Sequence, residues 1–162
     1  MIINGWFECK VKLEKQVEGK DLPQKVTQTY LVDALNFTEA EARIIDEVTP
    51  YCANGPLEVD NIKRARYSEM FPSEMDSADK WYKVECVFVT FDDKTQTEKR
   101  TSTNILVQAG NIADALQNFE DGMKGTMGDY EVAAITETAI LDVFPYSEKG
   151  DKKDDKPEFE QG

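Results

Sequence analysis

The segment of the sequence best suited to ligand chemistry is a basic run with an aromatic end, Lys63-Arg64-Ala65-Arg66-Tyr67. Arginine offers a planar pair of donors that fits phosphate and carboxylate groups. Alternate residues of a strand share a face, which predicts Arg64 and Arg66 on one side and Lys63 and Tyr67 on the other. With a second basic pair, they define a candidate ligand or nucleic-acid patch of Lys63, Arg64, Arg66, Tyr67, Lys99 and Arg100.

The amino-acid composition excludes several kinds of catalytic and metal site. The chain has 162 residues and no histidine, which excludes Ser-His-Asp catalysis, Cys-His catalysis and histidine zinc sites. Asp92-Asp93 lacks the spaced oxygen ligands of a calcium loop. The glycines around Lys124 lack the spacing of a phosphate-binding loop. We therefore expect a protein that is not an enzyme and has no cofactor and no metal site.

The charge of the chain favours a basic protein partner. It carries 32 acidic and 19 basic residues, a formal net charge of −13 at pH 7. Segment 147–162 holds six acidic and four basic residues, so −11 of that charge belongs to the rest of the chain. Such an excess argues against bulk electrostatic attachment to nucleic acid or anionic membrane. It speeds association with basic surfaces, although solubility alone also accounts for it.

The cysteines and the chain start predict a cytoplasmic protein without a membrane partner. Cys9, Cys52 and Cys86 are odd in number and widely spaced, as is typical of reduced thiols. The first residues lack the features of a signal peptide, and no apolar run reaches the roughly 20 residues that cross a bilayer. Cys52 follows Pro50-Tyr51 in a predicted loop, so it is the thiol with potential reactivity.

A repeated pattern predicts that the chain is internally duplicated. Trp6 recurs as Trp81 at an offset of 75 residues, and Phe71 recurs as Phe144 at an offset of 73 after a two-residue deletion. The two tryptophans are predicted core anchors, because matched large aromatics in a duplicated fold are usually buried. Arg64 then corresponds to Glu137, so the two could pair across neighbouring strands instead of binding a ligand.

Each copy is predicted to contain two strands, a helix and a third strand. In the first copy, alternation and β-branched residues predict strands at 6–14, 26–34 and 57–71. Thr38-Glu39-Ala40-Glu41 is a capping box for a helix that ends at Pro50. The second copy repeats the pattern with strands at 81–91, 99–109 and 130–144, and with a helix from Asn111, the cap, to Met123.

The predicted fold class is therefore α+β, with six strands and two helices in duplicated ββαβ units. The first repeat covers residues 1–78 and the second covers 79–146, and the two are expected to pair about a pseudo-twofold axis into one body. Segment 147–162 has one large apolar residue, Phe159, among many charges. It cannot repay its ordering entropy and is predicted to be disordered.

The body of the sequence resembles a known family. The resemblance rests on segments 6–11, 30–44, 123–127, 137–140 and 142–146, and it covers residues 6–146. It is similar to an uncharacterised domain-of-unknown-function family found in Bacteroidetes bacteria and their phages and mobile elements. The resemblance implies a bacterial or phage cytoplasmic setting and brings no activity or functional residues with it.

Two function hypotheses follow from these observations. The first is a non-catalytic, acidic interaction protein of phage or mobile-element origin that binds a basic protein surface, for example in a nucleic-acid-handling or host-defence complex. The alternative is an accessory protein of replication or recombination that binds single-stranded DNA or RNA. It would use the basic patch together with strand aromatics such as Tyr67 and Tyr30.

Overall fold

The computed structural model describes residues 5–145 and divides the chain into two compact units. Unit 1 contains the residues up to Ala65 together with the segment that starts at Ile140, and unit 2 spans Arg66–Ala139. Each unit consists of a four-stranded sheet and one α-helix, so the protein is α+β. The predicted disorder of segment 147–162 lies outside the described residues.

Unit 1 is built from a hairpin, a helix and two further strands. Its elements are β1 (Trp6–Lys15), β2 (Gln24–Asp33), α1 (Phe37–Val48), β3 (Glu58–Ala65) and β8 (Ile140–Phe144). The strand order is β3-β1-β2-β8. β1 is antiparallel to β2 and β3, and β8 is parallel to β2. A short 3-10 helix, Thr49–Tyr51, follows α1.

The core of unit 1 follows the period-two pattern of β1. Phe7, Cys9, Val11 and Leu13 are buried on the face that packs against α1. Three residues of α1 at helical spacing, Ala40, Ile44 and Val48, meet them. The alternation predicted this face because alternate side chains of a strand point to the same side of the sheet.

Unit 2 has the same kind of sheet around a longer hairpin. Its elements are β4 (Glu69–Phe71), β5 (Lys80–Asp92), β6 (Thr97–Ala109), α2 (Ile112–Gly122) and β7 (Asp129–Glu137). The strand order is β4-β6-β5-β7, with β4 parallel to β6. One buried core cluster of unit 2 contains Val84, Cys86, Ile105, Val107, Phe119 and Met123, and a smaller one contains Tyr82, Ala109 and Ala115.

The prediction of six strands is wrong, because each long third strand is interrupted. Predicted strand 57–71 is β3 and β4, and predicted strand 130–144 is β7 and β8. The two pieces of each strand belong to different sheets. Near each break, a backbone amide forms a hydrogen bond with a distant strand. The Ser68 amide donates to the Asn104 carbonyl at 2.9 Å, and the Thr138 amide donates to the Trp81 carbonyl at 2.9 Å. These long-range hydrogen bonds leave no trace in the alternation pattern.

Helix α1 begins earlier than predicted, so the Thr38 capping box is wrong. The cap is Asn36, whose side-chain oxygen accepts from the Glu39 amide at 2.8 Å. The Glu39 carboxylate accepts from the Leu35 amide at 2.7 Å. Asparagine is at least as good a cap as threonine, and Glu39 lies three residues after it, so the sequence holds two overlapping boxes. The predicted cap of α2 is confirmed, since Asn111 accepts from the Asp114 amide at 2.8 Å.

Several irregular details recur at corresponding positions of the two sheets. The β1–β3 ladder has a bulge between Lys10 and Val11, and the β5–β7 ladder has one between Glu85 and Cys86. Arg43 of α1 donates to the Asp33 carbonyl, and Asn118 of α2 donates to the Gln108 carbonyl. Each of these pairs of positions is 75 residues apart.

Candidate functional site

The predicted basic patch is distributed over both units. Lys63 and Arg64 lie on β3 of unit 1, whereas Lys99 and Arg100 lie on β6 of unit 2. Arg66 and Tyr67 precede β4 in unit 2. Because β3 ends at Ala65, the expectation that Arg64 and Arg66 share one face of a strand is wrong.

On β3, the two cations contact residues of the neighbouring strand. The Lys63 ammonium lies 3.4 Å from a carboxylate oxygen of Glu8. The Arg64 guanidinium lies 4.9 Å from the centre of the Phe7 ring, within reach of a cation–π interaction. The predicted Arg64–Glu137 pair is wrong, since β3 pairs with β1 and β7 pairs with β5. Both cations therefore have structural partners within unit 1.

On β6, Arg100 is held between two carboxylates. It forms salt bridges with Glu131 of β7 and, at 3.3 Å, with Glu98. These interactions, above all the hydrogen bond that Arg100 donates to the Glu131 carboxylate, raise the pKa of Arg100. Arg66 and Lys99 are exposed. Lys63, Arg64 and Arg100 of the predicted patch are thus engaged with other side chains of the protein.

A groove between α1 and β3 is a stronger candidate site. It encloses about 370 Å³. Its lining residues come from the first turns of α1 and from the middle of β3, namely Phe37, Thr38, Glu41, Val59, Asp60, Asn61 and Ile62. All of them belong to unit 1.

The position of Asp60 in this groove follows from the bulge in β3. In the β1–β3 register, Lys10 faces Asn61 and Val11 faces Val59, so Asp60 has no residue opposite it. A bulge of this kind bends the strand and redirects a side chain, and bulges are frequent next to functional sites. The Asp60 carboxylate also lies 3.6 Å from the Lys12 ammonium.

The groove combines an exposed aromatic ring with acidic groups. Phe37 is 52% exposed, and its ring meets the buried Phe7 ring edge to face at 4.9 Å between centres. Glu41 is exposed one turn farther along α1, and Asp60 lies on the β3 side. None of the seven lining residues is basic. The groove therefore suits a ligand that has both an apolar and a cationic part.

The corresponding surface of unit 2 has different chemistry. At offsets of 75 and 73 residues, the positions of Phe37, Glu41 and Asp60 are occupied by Ile112, Leu116 and Ala133. Ile112 is 57% exposed and Leu116 is 41% exposed. The acidic groups are thus a property of the unit 1 groove and not of this type of sheet and helix.

Sequence reasoning did not identify Phe37, Glu41 and Asp60 as site residues. Glu41 was explained by the predicted capping box, and the true cap at Asn36 leaves its carboxylate out of that role. Phe37 immediately follows this cap, which was the available signal for an exposed aromatic residue at the start of the helix. The position of Asp60 depends on the bulge, which alternation does not reveal.

Two further properties concern metals and membranes. Within residues 5–145, no group of three or more cysteine, aspartate or glutamate side chains is arranged to hold a metal ion. No helix in that part of the chain is both long enough and apolar enough to span a bilayer.

Fold and groove together define an α+β protein whose candidate site is lined by apolar and acidic side chains, with no basic lining residue. Residues 5–146 match the family model DUF4494, a domain of unknown function. Since this match covers most of the chain, the protein belongs to that family. No curated protein matches the chain.

Proposed function

We propose that the protein is a non-catalytic interaction protein that binds a basic, partly apolar segment of a partner protein in the α1–β3 groove. One observation carries the proposal: Glu41 and Asp60 line the same groove as the half-exposed Phe37 ring, with no basic lining residue. An apolar side chain of the partner would pack on Phe37, and flanking lysine or arginine side chains would pair with the carboxylates.

The charge distribution supports this choice over nucleic acid. Lys63, Arg64 and Arg100 of the candidate patch contact Glu8, Phe7 and Glu131, respectively. A phosphate ligand would have to compete with these contacts. A basic partner would likewise compete with Lys12 for Asp60, whereas Glu41 forms no salt bridge within residues 5–145. The acidic groove, by contrast, would attract a basic partner at long range and set its orientation, with a rate that falls as salt rises.

The origin of the protein is part of the same proposal. The shared positions of the bulges, the asparagine caps and the helix-to-strand hydrogen bonds support descent of the two units from one duplicated ancestor. The family resemblance supports a bacterial or phage source with a cytoplasmic location. An acidic groove in one copy and an apolar surface in the other is the divergence expected after duplication.

The experiment is binding of a labelled peptide to the full chain, measured by fluorescence anisotropy. The probe is an extended peptide of alternating lysine and leucine. The test variant is Glu41→Gln/Asp60→Asn. The matched control is Glu74→Gln/Asp76→Asn, which removes two exposed carboxylates of unit 2 and gives the same change in net charge. We expect roughly tenfold weaker binding by the groove variant, since each charge pair contributes about 0.2–1 kcal/mol or more.

Two other outcomes would contradict the proposed groove. Equal weakening by the groove variant and the control would mean that only net charge matters, which contradicts the groove. Absence of peptide binding, together with salt-sensitive binding of a single-stranded oligonucleotide that Arg66→Ala/Lys99→Ala abolishes, would replace this proposal with the nucleic-acid alternative.

A further inference from the structure

A second cavity of unit 1 is lined by residues of β1, β2, the short 3-10 helix and β8. It encloses about 210 Å³. Its lining residues are Lys15, Tyr30, Tyr51, Leu141, Asp142 and Phe144. It shares no residue with the α1–β3 groove, so an inference about it stands apart from the proposed function.

Three of the six residues that line this cavity are aromatic. The Tyr30 and Phe144 rings stack with 5.6 Å between centres and an angle of 23° between planes. Tyr30 is 4% exposed, and its hydroxyl donates to the Gln28 side-chain oxygen at 2.7 Å. Tyr51 is 59% exposed. The loop after Tyr51 is held in place, because the Ala53 amide donates to the Glu14 carbonyl at 2.7 Å.

Two opposite charges complete the cavity. Lys15 is at the end of β1, and Asp142 faces Tyr30 in the β2–β8 ladder. Within residues 5–145, neither forms a salt bridge. Burial, and secondarily the charge of Asp142, raises the pKa of Tyr30 to about 12, so its hydroxyl is neutral at ordinary pH. The ammonium and the carboxylate are therefore the charged groups that line the cavity.

Unit 1 differs from unit 2 at this place in the identity of one core residue. The position of Tyr30 is occupied in unit 2 by Ile105, which is 1% exposed. An aliphatic side chain is therefore sufficient for packing at this position. In unit 1 the β2–β8 ladder also pairs Thr29 with Ile140 and Tyr30 with Asp142, so Leu141, which lines the cavity, bulges out of register.

We infer that this cavity binds a small zwitterion that carries an alkylated ammonium group and a carboxylate. Aromatic rings attract such cations through cation–π interactions, and Asp142 adds a counter-charge. Lys15 offers donors to the carboxylate. The volume is below the roughly 300–1,000 Å³ of sites for drug-sized molecules, which restricts the ligand to a small one.

Isothermal titration calorimetry of the full chain with glycine betaine tests this inference. Asp142→Asn keeps an acceptor for the Val143 amide, which now donates to Asp142 Oδ1 at 2.8 Å, and removes the charge. We expect about tenfold weaker betaine binding in this variant. The matched control is Glu69→Gln, the corresponding position of β4, which should bind betaine like the wild type.

A second comparison tests the carboxylate half of the ligand. Choline has the same trimethylammonium group but no carboxylate. Lys15→Met should therefore weaken betaine binding about tenfold but should not weaken choline binding, because it removes only a like charge from the cavity. Tyr51→Ala, at an exposed position, should weaken both. No saturable binding of betaine by the wild type would overturn the inference, as would betaine binding that Asp142→Asn and Lys15→Met leave intact.

Discussion

Val32 of β2 lies opposite Phe144 of β8 in a parallel ladder, although the two residues come from opposite ends of the chain. Phe71 of β4 lies opposite Val107 of β6 in the same way. The last strand of each half of the sequence therefore completes the sheet that contains the hairpin of the other half. Neither half of the sequence contains a complete four-stranded sheet, and this topology has direct consequences for stability.

Loss of the packing of β8 should destabilise unit 1, although β8 is far in sequence from the other strands of that unit. The half-buried Phe144 ring stacks on Tyr30 and packs against the unit 1 core, so Phe144→Ala should cost about 2–3 kcal/mol. Native-state hydrogen exchange should show faster exchange of amides in β1 and β2 than in the wild type.

The matched control for this experiment is Phe71→Ala. Phe71 packs on the core of unit 2, with its ring centre 6.4 Å from that of Phe119. Its substitution should speed exchange in β5 and β6. If Phe144→Ala instead left the hydrogen exchange of β2 amides unchanged, the packing of β8 on β2 would not contribute to the stability of unit 1.

Local patterns predicted the hairpins and helices because those elements depend on near neighbours in sequence. Alternation in β1 placed Phe7, Cys9, Val11 and Leu13 on the buried face, and all four are buried. The predicted strands 81–91 and 99–109 form the hairpin of β5 and β6, with a regular ladder from Lys80 to Asp92. Hydrophobic periodicity is sufficient for such features.

Long-range partners decided what the sequence could not predict. No glycine or proline interrupts residues 57–71, so the sequence gives no sign of the break. The hydrogen bond from the Ser68 amide to the Asn104 carbonyl marks where the chain changes sheets. The contacts of Lys63 with Glu8 and of Arg64 with Phe7 depend on register. The groove depends on the bulge at Asp60, for the same reason.

Gly122 is required at the end of α2 because of a close approach by Phe71. A Cβ added at Gly122 would lie 2.5 Å from a carbon of the Phe71 ring. Gly122→Ala should therefore destabilise the protein by about 1–3 kcal/mol in urea unfolding, even though alanine favours helices. The double variant Gly122→Ala/Phe71→Leu should lose less than the sum of the two single changes. Strict additivity would contradict a steric cause.

The two asparagine caps should contribute similarly to stability. Asn36→Ala and Asn111→Ala each remove an acceptor for a first-turn amide, so each should cost about 1 kcal/mol in thermal or urea unfolding. Thr38→Ala is the control, because Thr38 is exposed and lies inside α1. It should change stability by less than about 0.5 kcal/mol. A larger loss of stability from Thr38→Ala than from Asn36→Ala would show that Thr38, as the sequence predicted, is the helix cap.

Alkaline pH should destabilise the protein through two buried groups. Burial, with a smaller contribution from the charge of Glu8, raises the pKa of the Cys9 thiol from 9.0 to about 12, and burial likewise raises the pKa of Tyr30 from 10.0 to about 12. The unfolded chain releases these protons at lower pH than the native protein does. The stabilisation is therefore complete below pH 9 and is lost as the pH rises toward 12, with up to about 1.4 kcal/mol per pH unit for each group.

Urea unfolding at a series of pH values between 8 and 11.5 measures this slope. The double variant Cys9→Ala/Tyr30→Phe removes both titrating groups, so its free energy of unfolding should fall less steeply with pH, whatever its stability at neutral pH. Tyr51→Phe, which removes an exposed hydroxyl, is the control and should keep the wild-type slope. A double variant with the wild-type slope would show that other groups cause the alkaline loss.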